Sequence, residues 1–359
     1  FIAVLFLIIG TISFVLSQNI LFLFSSRAIV GLSIGIFSSV APIYITEVSA
    51  PSYRGKLISI NQLFLVFGIL ISNIFGYHFS KTQNWQYMFL AGLLFAFLMF
   101  FLLFFIPETP AYLINHNQKN KAFYILKKIR KDINNTEVIK KSKIQKKIGW
   151  TKLLSKEVRL AFFVGIGINI FRQITGINIV TYYAPKIFYA AGFHVPQTAM
   201  LATFSVTLVN LLATAISLWL IDKIGRRPLL IVGITGMILS LFTLSYIFFI
   251  SASNLGFLVI IALMCFTSSF AIGLGVVSWV INSEIFPLEI RGSAVGISTF
   301  INWVCNYIVS VSFLSLLNNF GKSNTFFLYG TIGICALIFV IKKIPETKGK
   351  TLLEIQQSL

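Results

Sequence analysis

Acidic groups are scarce in this chain. Ten Asp and Glu stand against 29 Lys and Arg in 359 residues, and charged residues together make up 11%. A soluble domain carries about 25%, so there is too little charge to cover a water-facing surface. With 57% of residues hydrophobic, the composition excludes a soluble globular enzyme, a disordered chain and a disulfide scaffold. The net charge of +19 would point to nucleic acid only in a soluble protein. In a membrane protein basic residues collect in cytoplasmic loops, and no nucleic-acid partner is expected. Cysteine is nearly missing too. Cys265, Cys305 and Cys335 sit singly in apolar runs, without the paired spacing of a metal site or a disulfide framework, and read as small packing residues. His78, His116 and His194 lie away from span centres, and no Asp or Glu falls in the middle of an apolar run. No metal, no cofactor and no catalytic residue is expected. The N-terminal run lacks Met, a basic n-region and a cleavage site, which excludes a signal peptide and predicts a chain that begins inside a longer one.

What is present is apolar length. A membrane helix needs about 20 apolar residues. Such runs cover 1–17, 20–45, 56–78, 86–106, 158–191, 198–221, 228–250, 255–283, 293–317 and 325–342, about ten spans. The run 158–191 is long for one crossing and contains Gly176 and Pro185, so a kinked or interrupted helix is expected there. The charges alternate between the two sets of connections. Lys and Arg fill 47–56, 107–157, 222–227, 284–291 and the C-terminus, whereas the opposite set holds only Lys81 and Lys322. The positive-inside rule places the first set in the cytoplasm. The stretch 107–157, with about a dozen Lys and Arg, reads as a partly helical cytoplasmic linker facing anionic lipid headgroups.

An internal repeat organises these spans. Glu47 followed by Arg54-Gly55 matches Glu284 followed by Arg291-Gly292, and Pro107-Glu108-Thr109 matches Pro345-Glu346-Thr347. The offsets agree at about 237–238 residues, as a parallel duplication would give. The expected organisation is 1–106 as four spans of an N-terminal half, 107–157 as linker, 158–342 as a six-helix C-terminal half and 343–359 as a cytoplasmic tail. The offset also predicts two further spans upstream of Phe1.

Two such halves joined by a basic linker resemble the major facilitator superfamily. The local motifs resemble its sugar porter family. They are Arg27-x3-Gly31, Pro42-x-Tyr44-x2-Glu47-x6-Arg54-Gly55, Pro107-Glu108-Thr109-Pro110, Gln173-x2-Gly176-Ile177-Asn178-x3-Tyr182-Tyr183, Asp222-x2-Gly225-Arg226-Arg227, Glu284-Ile285-Phe286-Pro287-x3-Arg291-Gly292 and Pro345-Glu346-Thr347-Lys348-Gly349. The resemblance implies an all-α membrane protein with the major facilitator fold, two six-helix halves related by pseudo-symmetry. It implies multi-pass placement in the cell membrane, a cytoplasmic linker and C-terminus, and a monomer that transports a hexose or pentose by alternating access, with or without protons.

Site residues follow from residue chemistry and from the resemblance together. Gln62, Gln173, Asn178, Asn210, Asn302 and Asn306 are amides in apolar spans, and a buried amide without a partner costs about 1–3 kcal/mol. An amide both donates and accepts, which suits a neutral hydroxyl-rich ligand. Trp279 and Trp303 offer flat faces to a sugar ring. The resemblance places Gln62, Gln173, Asn178, Asn210, Trp279 and Asn302 on hexose contacts, and Tyr182 and Tyr183 at an extracellular gate. It also implies a cytoplasmic latch of Glu47, Arg54, Glu108, Asp222, Arg226, Arg227, Glu284, Arg291 and Glu346. Interfacial ion pairs without a gating role are the plainer alternative, each worth about 0–1 kcal/mol. Arg27 matches the residue that, in proton-coupled relatives, pairs with an acid on the first span.

The chain departs from the family pattern in three places. Arg172 replaces a common Gln, Ala111 replaces a common Arg, and Gly273-Leu274-Gly275 replaces a proline-bearing bend. Arg172 therefore joins the candidate substrate contacts. Two other functions stay open at this stage. One is a transporter-like sugar sensor or a non-functional remnant; the short tail beyond Glu354 argues against the sensor. The other is a superfamily transporter of an anionic small solute that uses Arg172.

Overall fold

The computed structural model describes residues 1–49, 54–79, 85–129, 159–193, 195–250, 256–286, 290–350 and 354. Fourteen α-helices account for nearly all of them. Among the described residues, nine helical stretches are long and apolar enough to cross a membrane. The tenth expected run is helical only over Ile2–Val15, 14 residues. At 1.5 Å per residue that is about 21 Å, short of a hydrocarbon core of about 30 Å. Large apolar side chains such as Phe249, Phe257, Phe300 and Tyr307 stand exposed on helix faces, an arrangement for lipid rather than water. Several hydroxyls inside the spans bond back to the carbonyl four residues earlier, as Thr203, Thr207, Thr214 and Thr267 do, so these donors are not left bare in an apolar medium.

The chain forms two compact units. The first comprises Phe1–Ile58 and His78–Gly149. In it α1 (Ile2–Val15) packs on α2 (Ile20–Val48) and α4 (Trp85–Leu102). Asn19 starts α2 by accepting from the Phe22 N–H at 2.8 Å, one of the helix-end donors that otherwise lack a partner. Ser33 donates to the Ala3 carbonyl at 2.6 Å, tying α2 to α1. Phe14 rests on Phe89 and Trp85 at ring-centroid distances of 4.4 and 5.4 Å. Beyond α4 a short 3₁₀ turn, Leu103–Phe105, leads to α5 (Pro110–Asn115) and α6 (Lys119–Ile129). Thr109 caps α5 and Pro110 occupies its first turn, where a missing N–H costs nothing. The expected linker is thus helical over these two segments, and 130–158 lies outside the described residues.

The second unit comprises Ser59–Tyr77, the central part of α3 (Arg54–Phe79), and Trp150–Leu359. The long run 158–191 is interrupted as expected. It forms α7 (Arg159–Ile174) and α8 (Ile177–Ala190), separated at Gly176, whose φ of 92° favours glycine. Then follow α9 (Pro196–Ile224), α10 (Arg226–Ile250), α11 (Gly256–Phe270), α12 (Val276–Glu284), α13 (Arg291–Asn319) and α14 (Lys322–Lys343). Helix α10 packs between α11 and α14. A Cβ on Gly233 would lie 2.6 Å from the Gly273 Cα and the Ser269 carbonyl, so the two backbones approach as only small residues allow. Between α11 and α12 the helix widens into a π-helical turn over Ala271–Gly275. The proline-free segment therefore bends through a changed hydrogen-bond register. The cysteines correct one expectation. Cys265 and Cys335 are exposed on their helices rather than packed inside; in lipid the outer face is itself the apolar environment a thiol prefers.

Candidate functional site

Two groups of polar side chains meet within the second unit. In one, Gln173 near the end of α7 donates from Nε2 to Oδ1 of Asn302 on α13 at 2.7 Å. Asn178, just past the Gly176 break, donates from Nδ2 to Gln173 Oε1. The break turns α8 so that its first residues face the last turn of α7, and three amides join in a chain. Gln173 and Asn302 are buried and Asn178 is half-buried. In the other group, the indole N–H of Trp279 on α12 donates to Gln62 Oε1 on α3 at 3.1 Å. Arg172 Nη2 reaches the same oxygen at 3.5 Å, and its guanidinium lies 4.7 Å from the centroid of the Trp279 ring. Arg172 precedes Gln173 in the chain, so the groups are contiguous through α7.

Asn306, one turn beyond Asn302, donates to the Tyr182 hydroxyl at 3.3 Å and accepts from Ser310 Oγ at 3.1 Å. The Tyr183 hydroxyl donates to the Ser310 carbonyl at 2.9 Å. Tyr182 and Tyr183 of α8 thus engage one stretch of α13. Asn210 is not joined to this chain; it pairs with Thr214 on its own helix. Trp303 is exposed, whereas Trp279 is half-buried.

Three further amides in apolar runs belong to the same unit. Asn169 is buried and donates to the Gly165 carbonyl at 2.8 Å. Asn282 is buried with neither side-chain polar atom bonded. Asn73 donates to Thr207 Oγ1 at 2.8 Å. Each carried the signal that singled out the other amides, a polar residue inside an apolar run.

At the helix ends that carry the charged motifs Arg226 is the hub. Its Nη2 contacts Glu284 Oε1 at 3.2 Å and its Nη1 lies 3.6 Å from Asp222 Oδ1. Glu284 also accepts from Thr347 at 2.7 Å. Glu346 binds main chain rather than an arginine side chain, accepting from the backbone N–H groups of Arg226 and Arg227, each at 3.0 Å. It thereby caps the start of α10, where the helix dipole favours an anion. Gly225, with φ 108°, makes room, because a Cβ there would lie 2.8 Å from Glu346 Oε2. Burial alone would raise the Glu346 pKa. Backbone donors from Lys348, Arg226, Arg227 and Thr347 outweigh it and hold the carboxyl below its ordinary value. Arg227 donates from Nη2 to the Ile341 carbonyl at 2.7 Å. The side chains of Arg54, Arg291 and Ala111 lie outside the described residues, Glu47 is half-buried and Glu108 is exposed. In the first unit Arg27 is exposed on α2 and stacks on Phe14 and Phe89 at 4.2 and 4.5 Å.

Comparison with known proteins identifies the family. The family model described as "Sugar (and other) transporter" matches residues 1–359. The D-xylose-proton symporter of Escherichia coli K12 is 34% identical over 92% of this chain and 70% of its own length. The arabinose-proton symporter of the same strain is 34% identical over 99% of this chain and 78% of its own. Among solved structures, the proton:xylose symporter XylE of E. coli bound to 6-bromo-6-deoxy-D-glucose matches with a TM-score of 0.84. It is 30% identical, over 99% of this chain and 82% of that one. These are transporters and not enzymes. The chain belongs to the sugar transporter family of the major facilitator superfamily and has its membrane-embedded helical fold.

Proposed function

We propose that this protein carries a monosaccharide across the cell membrane by alternating access, binding it at the amides of α7, α8 and α13 beside Trp279. The observation that carries the assignment is the chain Asn178–Gln173–Asn302 next to the Trp279–Gln62 pair. Amide donors and acceptors match sugar hydroxyls, and an indole face matches the C–H side of the ring. Tyr182 and Tyr183 serve as the extracellular gate, and the Arg226–Glu284–Glu346 cluster as the cytoplasmic latch. The basic linker and the C-terminus lie in the cytoplasm. Uptake of labelled D-glucose and D-xylose into proteoliposomes, with and without an imposed pH gradient, tests the assignment and measures proton coupling. Gln173→Ala removes contacts worth about 1–3 kcal/mol, so KM should rise about tenfold or more with the fold intact. Absence of saturable uptake would overturn the transport assignment, and an unchanged KM in the variant would overturn the site.

A further inference from the structure

Among the described residues Arg172 is the only ionisable side chain in the group around Trp279, and none of them neutralises it. It is 7% exposed and lies near the middle of the span Arg159–Ala190. Guanidinium stays protonated in proteins, and a cation held in a membrane interior is costly unless paired. Among the described residues Arg172 forms no ion pair. The described carboxylates in or beside spans, Glu47, Asp222 and Glu284, stand at cytoplasmic helix ends. What surrounds Arg172 is the face of Trp279, the ring of Phe270 at 5.9 Å and one amide oxygen. The vacancies fall on one edge of the guanidinium: Nε has no hydrogen-bond partner, and Nη2 has only the long 3.5 Å contact to Gln62 Oε1. These two nitrogens point their N–H bonds in parallel, and that edge grips both oxygens of a carboxylate.

We infer that the sugar this protein prefers carries one carboxylate, as a hexuronate or an aldonate does, and that Arg172 binds it. The inference rests on the proposed sugar site and names the class of sugar that fits it. The neighbouring amides and the Trp279 face select a polyhydroxylated body over a small inorganic anion. A single guanidinium balances a carboxylate but not a phosphate dianion, so sugar phosphates are excluded. Loading forms a neutral pair from a buried cation and an anion, which removes the cost of the unpaired charge as the substrate settles.

The test is proteoliposome uptake of labelled D-glucuronate and labelled D-glucose, with D-glucose 6-phosphate as a competitor. The panel is wild type, Arg172→Gln, which keeps hydrogen bonding without charge, and Arg172→Lys, which keeps charge without the fork. Wild type should take up glucuronate saturably, with glucose at least about tenfold weaker and glucose 6-phosphate not competing. Arg172→Gln should lose glucuronate and gain glucose, and Arg172→Lys should keep the order with about tenfold weaker glucuronate affinity. A monodisperse gel-filtration peak and retained uptake of either sugar show that a variant is folded. Saturable glucose uptake that glucuronate neither joins nor inhibits overturns the inference and leaves sugar transport standing. Glucuronate uptake unchanged in Arg172→Gln overturns it as well. Uptake of neither sugar by wild type overturns both proposals.

Discussion

Glu346 is the side chain whose chemistry is most open to a solution test. Its folded pKa lies below the ordinary carboxyl value of 4.5. The stability it contributes is therefore complete above that value and is lost as pH falls through the lower folded pKa. Glu346→Gln should lower stability by about 1 kcal/mol at pH 7, the scale of a helix-capping anion. The gap to wild type should close in thermal melts as pH drops below about 4. A gap that stays constant from pH 7 to 3.5 would place the carboxyl elsewhere. Residues of this kind are only partly legible in sequence. The motif marks Glu346 as a gate residue, but its partners are backbone N–H groups, which no side-chain pattern encodes. Amides in apolar runs are legible one at a time: Gln173, Asn178 and Asn302 do converge, while Asn210 turns to its own helix. Which of them meet depends on the rotation of α8 after Gly176.

Among the helices, α10 and the π-helical turn meet backbone against backbone. Gly233→Ala forces a methyl against backbone atoms at 2.6 Å and should cost about 1–3 kcal/mol. Gly296→Ala, with nothing within 4 Å of its added carbon, should be neutral or stabilising by up to about 1 kcal/mol. Thermal inactivation of the two variants in detergent gives the comparison, and equal loss in both would place the close contact elsewhere. The break of the run 158–191 was readable from its length and glycine, since a left-handed residue ends a helix wherever it falls. The π-helical turn was not. Gly273 and Gly275 announce tolerance of bending, but a widened helix also needs the close approach of Gly233, 40 residues earlier in the chain.

At the scale of the whole protein, the repeat and the order of motifs made the family legible, since the Glu-to-Arg-Gly and Pro-Glu-Thr motifs recur at the same offset. The grouping of Ser59–Tyr77 with the second unit depends on backbone contacts, and sequence periodicity does not encode it. The proposed latch gives a prediction for the transport cycle. Arg226→Ala removes a partly buried ion pair worth about 1 kcal/mol, enough to shift a two-state equilibrium about fivefold. A cysteine placed at Asn282, with Cys265, Cys305 and Cys335 replaced by serine, should then react about fivefold faster with a maleimide supplied from the cytoplasmic side. An unchanged rate would separate the cluster from gating. The cluster also has an uneven mutational target. Glu346 binds the main chain of residues 226 and 227, which every amino acid except proline supplies, so substitution on that side leaves the clasp intact. A lineage can thus vary residue 227 while retaining this contact, whereas a change at 346 removes it in one step. Drift in this part of the protein should be one-sided.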